Sequence, residues 1–79
     1  MLLSIYSLRK PVLRREVQSV NLKTAVGELT ILNHHRPLIV PLGSGPIKLV
    51  DEAGKSDILE AKGGLLEVLP QSRVNILLN

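Results

Sequence analysis

The sequence has no cysteine, no phenylalanine and no tryptophan, and a single tyrosine, Tyr6. Without cysteine there is no disulfide staple and no thiolate zinc site. With one aromatic ring there is no set of stacking platforms of the kind on which RNA-binding sheets hold bases. Long hydrophobic runs are missing too. The longest, Leu38 to Leu42, is far too short to span a bilayer. The first residues lack a basic region followed by an apolar stretch, so no signal peptide is expected. No segment reads as a helix longer than a turn.

What is present is aliphatic. Leu, Ile and Val account for 30 of the 79 residues. That is enough to fill a thin sandwich and is not the composition of a disordered chain. The length sets one domain, 1–79, which is marginal alone because a chain of this size buries only about 60–65% of its unfolded surface. Net charge is +3, with Arg9, Lys10, Arg14 and Arg15 near the start. Such a cluster is either a patch for nucleic acid or anionic lipid, or a solvated strand end that keeps a sheet edge from pairing. With only Tyr6 to stack a base, the second reading is preferred. A small basic β-barrel that binds RNA stands as the alternative of a different class.

The stretch that organises the chain is Gly27-Glu28-Leu29-Thr30-Ile31-Leu32. Leu29 and Ile31 point one way, Glu28 and Thr30 the other, as in a strand with one buried face. It runs into the polar loop Asn33-His34-His35-Arg36, closed by Pro37. Upstream, Leu2 to Leu8 alternates loosely and is ended by Pro11, with Val12 and Leu13 leading into the next segment. Val17, Val20 and Leu22 cannot share a face at period two without an extra residue, so a β-bulge is expected near Gln18-Ser19. Lys23 to Val26 reads as a turn. Leu38 to Leu42 contains Pro41, which suggests an edge strand or a bend between sheets.

Gly43-Ser44-Gly45-Pro46 is the clearest turn. Ile47 to Val50 and Ser56 to Lys62 flank a hairpin loop at Asp51 to Lys55. Gly63-Gly64 opens a strand from Leu65 to Leu69, Pro70-Gln71-Ser72 turns, and Arg73 to Leu78 closes the series. The hairpins from Ile47 onward are expected to be antiparallel neighbours. Strands every eight to twelve residues with turn chemistry between them signify an all-β sandwich or barrel.

No catalytic constellation emerges. The six serines lie outside any nucleophile-elbow setting, and Gly43-Ser44-Gly45-Pro46 has no lysine where a phosphate loop needs one. His34 and His35 are adjacent in an extended segment, so they point apart and do not chelate a metal together. Asp51, Glu52, Asp57, Glu60 and Glu67 read as a solvated hairpin rim. Glu28 is the more informative acid, because it follows a glycine at a strand tip. The expectation is a protein without catalytic residues, metal or cofactor.

The blocks G-E-L-T-I-L-x-x-H-x-P-L at Gly27–Leu38 and G-G-L-L-E-V at Gly63–Val68, in that order, resemble the N-terminal β-sandwich of the epsilon subunit of F-type ATP synthases. The likeness also takes in Ser7, Val17 to Leu22, Gly45-Pro46-Ile47 and Val74 to Leu77. It implies a flattened antiparallel β-sandwich of about ten short strands, a rotor subunit bound to the gamma subunit and standing on the c ring. By analogy Glu28 faces the polar loops of the ring, His35 with its loop Asn33–Leu38 lies near the rotor contact, and Ser7 faces gamma. Two residues depart from the family pattern: Asn33 replaces a usual proline and Arg36 a small residue. Arg36 is therefore counted with Glu28, His35 and Ser7 as partner-binding. His34 stands where glycine or asparagine is usual. Family members continue into two C-terminal helices, and no stretch of these 79 residues can be assigned to them. The implied location is peripheral to the membrane, on the cytoplasmic side of the bacterial plasma membrane or the equivalent face in an organelle, with no nucleic-acid partner.

Overall fold

A computed structural model describes residues 1–9 and 13–79. The expected stop at Pro11, the opening of the next segment at Val12 and the cation Lys10 lie outside the described residues. Eight strands are present: β1 Leu2–Ser7, β2 Leu13–Thr24, β3 Gly27–Leu32, β4 Leu38–Leu42, β5 Gly45–Asp51, β6 Ser56–Ala61, β7 Gly64–Leu69 and β8 Arg73–Leu78. The family resemblance implies about ten. The number is smaller partly because β2 is one twelve-residue strand that serves both layers.

One layer runs β4-β7-β8-β1, and β2 joins its end through Leu13–Glu16 against β1. The other layer is β3-β2-β5-β6, using Val17–Thr24 of the same β2. Between the two halves the register against β5 jumps from Val17↔Asp51 to Ser19↔Val50. Gln18 is the extra residue, and the expected bulge is there. It keeps Val17, Val20 and Leu22 all facing inward, each essentially fully buried. At its far end β2 meets β4 through Thr24↔Leu42, so β4 does lie where the layers meet. Pro41 has no amide hydrogen to donate, but its carbonyl accepts from Ala25 N at 3.0 Å.

Inward-facing aliphatic side chains from every strand fill the space between the layers; Leu3, Ile31, Leu66 and Ile76 are completely inaccessible. The extents of 27 × 24 × 18 Å are those of a flattened sandwich. Three details differ from the sequence reading. Only Ala25 and Val26 turn between β2 and β3, because Lys23 and Thr24 still pair with Glu28 and Gly27. The strands β6 and β7 are not neighbours: Lys62-Gly63 carries the chain from one layer to the other. And β1 runs parallel to β8, from Leu2↔Arg73 to Ser7↔Leu78, the one parallel pairing among the described residues.

Candidate partner-binding site

Glu28 stands at the β2–β3 hairpin. Gly27 has φ +120°, which favours glycine over any L side chain. Thr24 Oγ1 donates to Gly27 O at 2.7 Å and accepts from Val26 N at 3.2 Å. The hydroxyl of the buried Thr24 thus clamps both sides of the turn. Glu28 is exposed beside it, opposite Lys23, and among the described residues enters no ion pair. The next outward pair along is tied by Asn21 Nδ2 donating to Thr30 Oγ1 at 2.8 Å. The carboxylate is therefore presented on a rigid mount, so little ordering entropy is lost when something binds it.

His35 and Arg36 lie in the β3–β4 loop. His35 N donates to Leu32 O, and His34 N donates to Ser72 Oγ in the β7–β8 turn. His35 is half-buried, its Nδ1–H meeting the Arg36 carbonyl at 2.9 Å, while Arg36 is exposed. The two histidines do not converge, and no group of three or more metal-ligating side chains occurs among the described residues. His34 has φ +65°, a left-handed conformation that costs a non-glycine residue about 1–2 kcal/mol. That explains why glycine or asparagine suits the position. His34→Gly is expected to stabilise the fold by about 0.5–1 kcal/mol after the unfolded-state entropy of glycine is subtracted. The check is the thermal midpoint, which should rise by roughly 2–8 °C; a fall would show that the His34 side chain makes a contact worth more than the strain.

Ser7 ends β1, its Oγ accepting from Arg9 N at 3.2 Å. The pairings order these residues in space. Gly27, Thr24, Leu42, Gly64, Leu78 and Ser7 form one laterally paired row across six strands. Glu28 and Ser7 thus belong to one rim. His35 and Arg36 sit beyond Leu38, at the other end of β4, about 13 Å away at 3.3 Å per residue. The four candidates form two patches on opposite rims and not a single site.

The sequence reading missed the surface between those rims. On the outward face of β4-β7-β8-β1, Pro41, Leu65, Leu77 and Tyr6 are cross-strand partners in one apolar row. Leu8 extends it, 98% exposed. The signal was available in the doubled leucines Leu65-Leu66 and Leu77-Leu78, since neighbours on a strand face opposite ways and one of each pair must point outward. Elsewhere four ion pairs join the described residues. Arg15 bridges to Asp57 at 3.0 Å and to Asp51 at 4.0 Å, and the Met1 α-ammonium lies 3.5 Å from Glu16 and 3.9 Å from Glu52.

Residues 1–79 match the family model described as the ATP synthase delta/epsilon chain β-sandwich domain. The chain is 39% identical over 67 residues to the ATP synthase epsilon chain of Priestia megaterium, covering 85% of this chain and 48% of that one. It is 39% identical over 69 residues to that of Granulibacter bethesdensis, covering 87% and 51%. The chain spans about half the length of these curated relatives. A chain in the cryo-EM structure of Euglena gracilis mitochondrial ATP synthase, OSCP/F1/c-ring, superposes with a TM-score of 0.91 at 25% identity, covering 99% of this chain and 49% of that one. A chain in the central stalk/c-ring structure of the Tetrahymena thermophila enzyme shares the fold at a TM-score of 0.81 and 19% identity, covering 99% and 62%.

Proposed function

The chain belongs to the delta/epsilon β-sandwich family of ATP synthase, and from that membership we propose that it is a non-catalytic central-stalk subunit. In this reading it couples rotation of the c ring to the gamma subunit and the catalytic head, and residues 1–79 are one sandwich domain held peripherally at the coupling membrane. That face is the cytoplasmic one in a bacterium, or its equivalent in an organelle. Glu28 meets the polar loops of the ring, Ser7 faces gamma, and His35 and Arg36 lie near the rotor contact.

The observation that carries the reading is the placement of Glu28, an exposed carboxylate in no ion pair among the described residues, on a hairpin tip clamped by Thr24. A transmission part has to be stiff, and close-packed interiors have low compressibility. Here each layer is tied to the other through the continuous strand β2, so torque applied at one rim reaches the opposite rim without a hinge. The cations that raise the RNA-binding alternative are in part spoken for, since Arg15 is bonded to Asp57 and Asp51.

Glu28→Lys in the assembled complex tests the reading. The substitution touches no packed group, and facing Lys23 it costs a few tenths of a kcal/mol. Thermal unfolding should be nearly unchanged, whereas docking on the ring should weaken about tenfold and coupled ATP synthesis should drop. Undiminished synthesis would remove Glu28 from the ring contact.

A further inference from the structure

We infer that Lys23 is a second contact residue of the Glu28 rim, and that the ring loop seated there sets a carboxylate against Lys23 and a basic group against Glu28. The inference rests on the rotor reading above. It adds a residue to that contact and the order of charge that the partner carries.

The starting point is an ion pair that is not made. Lys23 and Glu28 are direct cross-strand partners on β2 and β3. Opposite charges so placed have Cβ atoms about 4.5–5.5 Å apart and attract each other. Yet neither residue enters any of the four ion pairs among the described residues. The cause lies on the other side of Lys23. Gly43 N donates to the Lys23 carbonyl at 2.9 Å and draws the turn between β4 and β5 against β2. Gly43 and Gly45 leave a trough where side chains would otherwise stand, and the Lys23 stem lies in it. A Cβ at Gly45 would be 3.2 Å from Lys23 Cδ, 3.7 Å from Cε and 3.8 Å from Cγ, and one at Gly43 would be 3.7 Å from Lys23 Cβ. The stem therefore leans from β2 toward β5, away from β3 on the opposite flank, and takes the ammonium with it.

A lysine held along its stem with its head in water has already lost much of its rotamer freedom, so little more is lost when a partner binds it. The rim thus presents two exposed opposite charges in a fixed order, acid on β3 and base on β2. A partner offering only cations would meet Glu28 well and Lys23 badly, and like charges brought together across an interface cost affinity. The complementary surface carries the reverse pair, a base and an acid separated by a little more than the ~4.8 Å between neighbouring strands. A second copy of this chain fits less well. Two chains of net charge +3 repel each other, and a pair of hairpin tips buries far less than the ~1,000 Å² of a stable interface.

The test is calorimetric titration of this chain onto a rotor of gamma and c ring that lacks it. The unaltered chain is compared with Lys23→Gln, Lys23→Glu, Glu28→Lys and the exchange that combines Glu28→Lys with Lys23→Glu. Both side chains are exposed, so each variant should fold, and its melting curve verifies that. Lys23→Gln should weaken binding about fivefold and Lys23→Glu about thirtyfold. The exchange keeps the net charge and the attraction within the chain but reverses the order offered to the ring, so it should bind no better than Glu28→Lys alone. Binding indifferent to both Lys23 variants, or an exchange that regains the parent's affinity, would overturn the inference and leave the role of Glu28 standing. So would a dimer in sedimentation that Lys23→Gln dissolves, because the pair would then serve a second copy. Failure of the unaltered chain to bind the rotor would overturn the stalk reading itself.

Discussion

Deletion of Gln18 is expected to abolish cooperative folding. Gln18 is the residue by which β2 outnumbers β5 between Val17↔Asp51 and Ser19↔Val50. Its own side chain is exposed and reaches only the Glu52 carbonyl, at 3.3 Å. The loss of that contact is negligible. The loss of the residue is not, because a one-residue slip turns every later side chain to the opposite face. Either Val20 and Leu22 leave the core, or Leu13 and Val17 do, and burial of each aliphatic side chain is worth about 1.5–3 kcal/mol. A chain of this length has only about 4–12 kcal/mol of stability in total. Urea unfolding followed by circular dichroism should show no sigmoidal transition, and an alanine placed at the same position should restore it. A deletion protein that unfolds cooperatively near the parent's midpoint would show that the bulge is dispensable.

The second large effect is expected from Gly64→Ala. Gly64 lies within β7, paired to Leu42 on one side and Leu78 on the other. Its φ is +145°, and an added Cβ would stand 3.0 Å from the Leu77 carbonyl carbon and 3.2 Å from the Leu78 Cα, nearer still to the Leu77 oxygen. These are backbone atoms of a hydrogen-bonded neighbour and cannot rotate away. Relief requires β7 to pull off β8, so the cost should be about 3 kcal/mol or more. Gly27→Ala is the control. Its φ is also positive, but nothing lies within 4 Å of the new Cβ, so it pays for the backbone alone, about 1 kcal/mol. The difference between the two urea midpoints isolates the collision. Equal midpoints would show that the Leu77 carbonyl yields.

Much of this architecture can be seen in the residues themselves, because period-two patterning and turn chemistry are local. The bulge is legible from the three-residue interval between Val17 and Val20. The facing of β3 is legible from Leu29 and Ile31. What could not be read is anything decided between distant segments. Nothing in Leu2–Ser7 announces that it lies parallel to Arg73–Leu78, since either direction buries Leu3 and Ile5 equally well. The departure of β6 from β7 is hidden for the same reason. At the candidate site, the residues themselves singled out Glu28, and the family resemblance added His35, Ser7 and Arg36. Their division between two rims follows from lateral pairing, which only the folded chain displays. The apolar row escaped notice because Leu65 and Leu77 look like core residues until their neighbours Leu66 and Leu78 claim the inner positions.

The parallel seating of β1 has a consequence for how the molecule is made. Leu2–Ser7 is synthesised before the six strands that separate it from Arg73–Leu78, and β1 obtains its second neighbour only from the latter. Its open flank must wait until β8 has been made, so the sandwich closes as a unit and is not laid down strand by strand.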